Sequence, residues 1–289
     1  MNKIFHVLTI FIILLAMVSS GLGLFYKTGG QSTDFINQYG DNIILHGDGI
    51  YKNDSLFMAS IFRGTDFAVF FIIIPISILI LILDIKRNTI KTKLLLTSIV
   101  ASFLYFSASL AFGVKYNILH LVYMVFFGVS FFTLILGYKL IKTYPINKSK
   151  NILTVGLKIF LTFIGLSVFI AWLPDILTSL ANGKSLELIH VYTTNITYVL
   201  DMGIISPLVF ICMYNLSKKN DLGYILLGLN LTLLIVIGII LPFQTLFQIN
   251  VGIELPLEAI ITKVGIFIVL AVFAVFYNIK LFKTLNENI

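Results

Sequence analysis

The stretch FFIIIPISILILILDIKR, residues 70–87, decides the fold. Its first fourteen residues have no charge and are apolar on every side, whereas a soluble surface helix needs one polar face. A membrane-spanning strand would show apolar and polar residues alternating over about ten positions, and this stretch does not. The sequence therefore predicts a transmembrane helix that ends at the basic pair Lys86 and Arg87.

The whole chain shares this apolar character. Hydrophobic residues make up 58% of its 289 positions, charged residues only 11%, and the mean hydropathy is +1.02. A soluble domain averages about 25% charged residues, so this chain has too little charge to cover a water-exposed surface. We predict an integral membrane protein whose main partner is the lipid bilayer. The single cysteine, Cys212, leaves no intramolecular disulfide and no cysteine metal cluster.

Eight segments have the length of about 20 mostly apolar residues that a crossing helix needs. We predict an all-α polytopic bundle that forms one transmembrane domain, residues 1–289, with long outer loops at 26–65 and 175–196. The first segment could also be read as a cleaved signal peptide, but it is long for one and lacks a clear cleavage site, so we expect a retained helix. The predicted crossings are 5–25, 66–84, 94–114, 118–139, 153–174, 197–216, 222–241 and 257–280.

The basic residues alternate between the two sides of this bundle. One set of connections holds fourteen of the twenty Lys and Arg residues and three of the thirteen acids, and the opposite set holds the rest. Basic residues mark the cytoplasmic side of a membrane protein, so we place both termini there. The pattern predicts a multi-pass protein of the cell membrane, the cytoplasmic membrane of a prokaryote. The same clusters explain the pI near 9.3 without a nucleic-acid partner.

The two halves of the chain share a layout. The second predicted helix begins Gly64-Thr65-Asp66 and contains Pro75, and the sixth begins Val199-Leu200-Asp201 and contains Pro207. A four-plus-four duplication of this kind would relate parallel halves by an axis along the membrane normal. Chance similarity among apolar helices is the alternative, because the identity between the halves is slight.

Ionisable groups inside a bilayer are costly, so they usually face a cavity or pair with one another. Asp201 and Lys263 lie at similar predicted depth, which makes contact between them feasible. The alternative is that Asp66 and Asp201 only stabilise helix starts through the helix dipole. For the turn before the fourth helix, a hydrogen-bonded turn with interfacial tyrosines is the simpler interpretation. We group the candidates as a polar pocket near the outer side: Asp66, Asn117, His120, Asn195, Asp201 and Lys263.

The sequence offers no catalytic or cofactor motif. It contains no Walker loop, zincin motif, nucleophile elbow or dinucleotide fingerprint. No two of its four histidines have the spacing that places two ligands on one helix face. We therefore expect no metal and no other cofactor, and an enzymatic activity is less favoured than a non-catalytic role.

Three groups of residues resemble stretches found in an uncharacterised family of bacterial polytopic membrane proteins of about eight helices. The resemblance implies the same architecture and adds no chemistry, because that family has no assigned activity. It suggests Asp201 and Asn117 as residues of interest. The three groups are Tyr105, Ala111-Phe112-Gly113, Tyr116-Asn117 and Tyr123; Val199-Leu200-Asp201, Gly203, Pro207 and Gly223-Tyr224; and Tyr51, Asp54 and Gly64-Thr65-Asp66.

Three functions remain open on this evidence. The first is a transporter or permease of a small solute or ion, favoured by the many helices, the two intrahelical prolines and the charges near the outer ends. The second is a non-catalytic sensor, scaffold or accessory subunit that acts on a partner membrane protein. The third is an enzyme that modifies lipids of the outer leaflet. A water-accessible cavity joining Asp66, Asp201 and Lys263 would favour transport or catalysis, and solid packing there would favour the accessory role.

Overall fold

The computed structural model describes residues 1–146 and 152–285, apart from the side chains of Ala259, Thr262 and Lys263. Eight helices in this part of the chain are long and apolar enough to cross a membrane. The prediction of a multi-pass helical membrane protein is confirmed at this level. These helices span Asn2–Phe25, Leu56–Arg87, Ile90–Gly113, His120–Ile141, Val155–Asn182, Ile196–Ser217, Asp221–Asn250 and Ile266–Thr284.

Three helical regions contain a π-helical segment, in which one extra residue enters the turn. Two of these segments are followed at once by the prolines singled out above, Pro75 and Pro207. The helices are α1 (Asn2–Phe25), α2 (Leu56–Ala68), α3 (Ile74–Arg87), α4 (Ile90–Gly113), α5 (His120–Ile141), α6 (Val155–Ile170), α7 (Leu173–Asn182), α8 (Ile196–Leu200), α9 (Ser206–Ser217), α10 (Asp221–Asn250), α11 (Leu257–Ala259) and α12 (Ile266–Thr284). The π segments are Val69–Ile73, Asp201–Ile205 and Ile260–Gly265.

A short hairpin of β1 (Thr33–Ile36) and β2 (Asn42–Leu45) lies between α1 and α2. The strands are antiparallel, with Thr33 opposite Leu45. The end of the bundle that holds this hairpin is called the outer end below. Which end faces the cytoplasm stays a prediction from the distribution of basic residues.

Two helices extend further at the outer end than their apolar stretches indicate. The α2 helix begins at Leu56, ten residues before Asp66, where the Ser55 hydroxyl accepts a hydrogen bond from a backbone N–H of the first turn. The α10 helix continues through Pro242 to Asn250. The two extensions pack closely, because a Cβ added at Gly64 would lie 2.5 Å from the Cα of Gln244.

The described helices pack around two hydrophobic clusters. One is formed almost entirely by residues between Phe5 and Leu140, and the other mostly by residues between Ile152 and Leu285. The helices α4 and α10 contact each other and join the two clusters, and α10 also packs on α2, α9 and α12. Clusters that follow the two halves of the chain agree with a four-plus-four layout, but the duplication itself stays a prediction.

Candidate functional site

Asp201 is the first residue of the second π segment and is 7% exposed. The hydroxyl of Tyr105, on α4, donates a hydrogen bond to Oδ1 over 2.8 Å. The indole N–H of Trp172 donates to Oδ2 over 2.9 Å. Among the side chains that the structure describes, no Lys or Arg lies within 4 Å of this carboxylate. Asp201 is therefore held by neutral donors from two other helical regions.

Trp172 owes its position to a break between two helices. The α6 helix ends at Ile170, and Pro174 starts the next helix, so the indole lies at the corner between them. Its ring stacks on Tyr198, with ring centroids 4.7 Å apart and planes at 21°. The Tyr198 hydroxyl in turn donates to Asp175 over 2.7 Å. This chain of contacts fixes the indole N–H toward Asp201.

A cavity of about 710 Å³ adjoins this group. It lies between the two halves of the bundle and is lined by residues of the second, third, fifth, sixth, seventh and eighth spanning regions. Sites for drug-sized ligands occupy about 300–1,000 Å³, so the space suits a small organic molecule. Its aromatic lining consists of Phe57, Phe62, Phe103, Tyr105, Phe106, Trp172, Tyr198 and Phe267.

The charged side chains of the cavity are all acidic among the lining residues that the structure describes. Asp201 lies in the wall, and Glu187 and Glu254 are exposed where the cavity meets the outer end. One amide side chain in the lining, Gln248, has a buried N–H2 group without a hydrogen-bond partner. The cavity therefore combines a negative potential with an uncommitted hydrogen-bond donor.

All three π segments contribute residues to the cavity wall. The first segment supplies Val69 and Ile73, the second supplies Asp201 and Ile205, and the third supplies Ile260 and Val264. The extra residue of a π turn changes which side chains face inward, and such turns are frequent at functional sites. The irregular backbone thus coincides with the wall of this cavity.

The structure brings only some of the predicted site residues together. Asn195 and Asp201 both line the cavity, and Asn195 also caps α8 by accepting the N–H of Thr197. Lys263 has a side chain outside the described set, so its expected contact with Asp201 stays a prediction. Asn117 lies in the turn between α4 and α5, where it accepts the N–H of Leu119. Neither Asn117 nor His120 lines the cavity.

Asp66 occupies a different environment from Asp201. It is fully buried against α1, and the hydroxyl of Tyr51 donates to its Oδ2 over 2.7 Å. It does not line the large cavity. The helix-dipole interpretation of Asp66 is wrong, because α2 begins ten residues earlier and places this carboxyl about three turns from the helix start.

The outer loops contain a buried acid, Asp54, which the sequence analysis named in the family resemblance but not among the candidate site residues. Its Oδ1 accepts a hydrogen bond from the backbone N–H of Lys115 over 2.9 Å and one from the Tyr192 hydroxyl over 2.8 Å. Burial raises the pKa of Asp54 to about 7, against the lowering effect of these donors. This carboxyl joins three outer segments that lie far apart in sequence. Its burial has no signal in the sequence, because loops are usually exposed.

A second overlooked group lies at the opposite end of the bundle. Lys93 and Asp84 are both fully buried and form an ion pair. The ring of His6 on α1 contacts the same carboxylate over 2.8 Å, and the Thr92 hydroxyl donates to its other oxygen over 2.8 Å. The group ties α1, α3 and α4 together. From the sequence, Asp84 and Lys93 belong to the charged residues expected at the cytoplasmic side. The one signal for their pairing is that they lie on the adjacent helices α3 and α4, close to the turn that joins them.

The histidines form no metal-binding cluster among the described residues. Among the described residues, no three or more His, Cys, Asp or Glu side chains form a group that could hold a metal ion. His190 contacts the Ser55 hydroxyl over 3.0 Å, and burial lowers its pKa. The expectation of no metal and no cofactor stays a prediction.

No protein-family model, curated protein or solved structure matches this chain. The resemblance to an uncharacterised family of bacterial membrane proteins therefore stays an expectation from short motifs. The function has to be inferred from the geometry of the chain itself.

Proposed function

We propose that this multi-pass membrane protein is a transporter or permease for a small amphipathic organic cation. The observation that supports this proposal is the large cavity beside Asp201, with three acids and no basic residue among its described lining. A carboxylate held by two neutral donors keeps its charge available to a ligand. A cationic ligand would compensate that charge in a site with little water.

The remaining lining suits the rest of such a molecule. Aromatic rings attract an organic cation through their negative faces, by about 0.5–2 kcal/mol for each well-placed ring. The aliphatic side chains of α4 and α10 would bury an apolar body, at about 25 cal/mol for each Å² removed from water. An anion would meet unfavourable potential at the outer end, where Glu187 and Glu254 are exposed.

Transport also requires the two halves to move. Many transporters bind their substrate between structural repeats and rock one repeat against the other. The cavity lies between two separate hydrophobic clusters, and its walls include three π segments at which a helix can bend. A four-plus-four arrangement around α4 and α10 is part of this proposal.

An accessory or sensory role has one observation in its favour. The outer segments are hydrogen-bonded to each other, with Asn37 donating to the His190 carbonyl over 2.8 Å and Gln38 to the Tyr192 carbonyl over 3.1 Å. A rigid outer surface of this kind could recognise a partner protein. Such a role would need neither ligand in the cavity nor movement of the halves.

The sole tryptophan of the chain provides a direct test of ligand binding, because Trp172 lines the cavity. The full chain in nanodiscs is titrated with benzyltriethylammonium, and its intrinsic fluorescence is recorded. We expect a saturable change with the cation and none with an aromatic sulfonate of similar size. An equal response to the sulfonate, or no saturable response to the cation, would contradict the proposed ligand class.

Transport is tested separately with proteoliposomes. Radiolabelled benzyltriethylammonium should enter vesicles that contain the protein faster than empty vesicles, and unlabelled cation inside should accelerate exchange. Saturable fluorescence without any accelerated exchange would favour a sensor over a transporter.

A further inference from the structure

Asp66 is a buried acid without a visible counter-charge. Its side chain is fully buried in a spanning helix, and among the described residues no Lys or Arg lies within 4 Å of it. One oxygen accepts the Tyr51 hydroxyl, and the other, Oδ1, is buried with no hydrogen-bond partner. A charged carboxylate at such a place is strongly disfavoured unless it is compensated.

The packing around Asp66 leaves no room for a metal ion beside its bonded oxygen. A Cβ added at Gly23 of α1 would overlap Oδ2, so the helix backbone itself covers this atom. On the α5 side lies Tyr123, which is also buried and interacts with both Tyr51 and Asp66. A proton needs no space of its own, and it turns the carboxylate into a neutral acid with an O–H donor.

A small polar cavity lies at the outer end of α1, beside Gly23 and Tyr51, the two residues that contact Oδ2 of Asp66. Its volume is about 10 Å³, close to the minimum that holds one water molecule. Its charged and titratable lining residues are Tyr26, Lys27, His46, Asp48, Tyr51 and Arg63. The Nδ1 atom of His46 is buried without a partner, and burial lowers the pKa of this ring, so a neutral imidazole can exchange a proton here.

We propose that Asp66 is a proton-binding site, filled from the outer end through the water-sized cavity beside His46 and the hydroxyl of Tyr51. A proton that enters the cavity water from the outer aqueous phase, as hydronium, passes to the Tyr51 oxygen and leaves neutral water behind, while the tyrosine gives its own proton to Oδ2 of Asp66. The tyrosine is therefore neutral before and after the step, and the charge of Asp66 changes from minus one to zero. This site is separate from the large cavity and does not depend on the ligand proposed there.

The charged and titratable groups that face Asp66 come from several elements. Tyr51 comes from the outer loop and Tyr123 from α5, while Gly23 of α1 covers Oδ2. Within the same helix, Arg63 acts on Asp66 from a distance beyond an ion pair. Beyond the two tyrosines lies Asp54, whose charge also acts on both of them.

Infrared spectroscopy tests whether the proton is present. A buried protonated carboxyl gives a C=O stretching band that a carboxylate lacks. At neutral pH we expect Asp66→Asn to remove such a band from the spectrum of the full chain in nanodiscs. In Tyr51→Phe the band should persist and shift in frequency, because the protonated carboxyl group loses its hydrogen bond to the tyrosine. An unchanged protonated-acid region in a folded Asp66→Asn protein would overturn the proposal.

Exchange into D2O tests the route. The C=O band shifts when deuterium replaces the proton of the acid. The rate of this shift therefore measures how readily solvent protons reach Asp66. We expect His46→Gln to slow this exchange several-fold. The matched control is His120→Gln, at another outer position away from the cavity, which should exchange at the wild-type rate. Equal rates in both variants and the wild type would refute the route through His46. Because neither experiment uses a ligand, failure here is distinct from failure of the transport proposal.

Discussion

Replacing Asp201 with asparagine should weaken binding of an organic cation while leaving the fold intact. Asparagine has nearly the same shape, and its Oδ1 can accept the indole N–H of Trp172. Its Nδ2 then faces the Tyr105 hydroxyl, which can turn and accept instead of donating. Both wild-type hydrogen bonds are therefore preserved in number, and the main loss is the negative charge.

The size of the effect follows from the charge removed. Two unit charges about 4 Å apart attract by about 4 kcal/mol at an effective dielectric constant of about 20. Desolvation of the cation and of Asp201 offsets part of this attraction. Hydrogen bonds to charged groups contribute about 1.5–3 kcal/mol net. We therefore expect the Kd of benzyltriethylammonium to rise by about 10- to 150-fold.

Trp172 fluorescence measures this change, and Asp34→Asn is the matched control. Asp34 is exposed on β1 and does not line the cavity, so the same substitution there removes a charge outside the site. We expect the control to change the Kd by less than about fivefold, since a surface charge interaction contributes about 0–1 kcal/mol. Equal Kd values for the wild type and a folded Asp201→Asn protein would refute the role of Asp201.

Three further predictions concern stability. Folding raises the pKa of Asp54 to about 7 from 3.8, so the folded state binds this proton more tightly than the unfolded state, and the free energy of unfolding should fall by up to about 4 kcal/mol as the pH rises from about 4 to 7. Thermal melts of Asp54→Asn should lack this pH dependence, and a dependence equal to that of the wild type would contradict the assignment. Lys93→Met should lower the free energy of unfolding by about 3–5 kcal/mol, because it leaves Asp84 buried without its counter-charge. Adding Asp84→Leu should recover most of this loss, and a double variant no more stable than Lys93→Met would exclude this explanation. Gly64→Ala should lower the free energy of unfolding by about 1–3 kcal/mol, because the added methyl group overlaps the α10 backbone. Thermal melts of Gly128→Ala, where the methyl group meets no atom within 4 Å, should show no loss of stability, and equal losses in the two variants would mean that close packing is not the cause.

The membrane-spanning helices could be predicted because the solubility of a helix in lipid depends on its own residues alone. A window such as residues 70–83 identifies a spanning helix without knowledge of its neighbours. The same reasoning fails at the outer ends of α2 and α10, where the chain leaves the apolar window but stays helical. These extensions are stabilised by contact with each other, including the hydrogen bond of 2.8 Å from Gln244 to Thr65. A contact between residues so far apart in sequence has no local signal.

Asp201 and Asn195 could be selected from the sequence because a polar cluster at a helix start is unusual in so apolar a chain. The direction of each side chain could not be predicted. A helix that is apolar on all sides has no preferred face, so periodicity does not reveal whether an acid faces lipid, a neighbouring helix or a cavity. The extra residue of each π segment also changes which side chains face inward, and no pattern of residues in the sequence predicts it. Asp66 and Asp201 therefore look equivalent in sequence and differ in the structure.

The contrast between these two acids follows from the space around them. Each lies in a spanning helix just before or within a π segment, and each accepts a tyrosine hydroxyl without a described cation nearby. Where α1 covers the carboxyl, as at Asp66, only a proton has room to neutralise it. Where the helices leave about 710 Å³ beside the carboxyl, as at Asp201, a far larger cation can do so. The same electrostatic requirement, met in a closed and in an open setting, thus accounts for both the proposed proton site and the proposed ligand site.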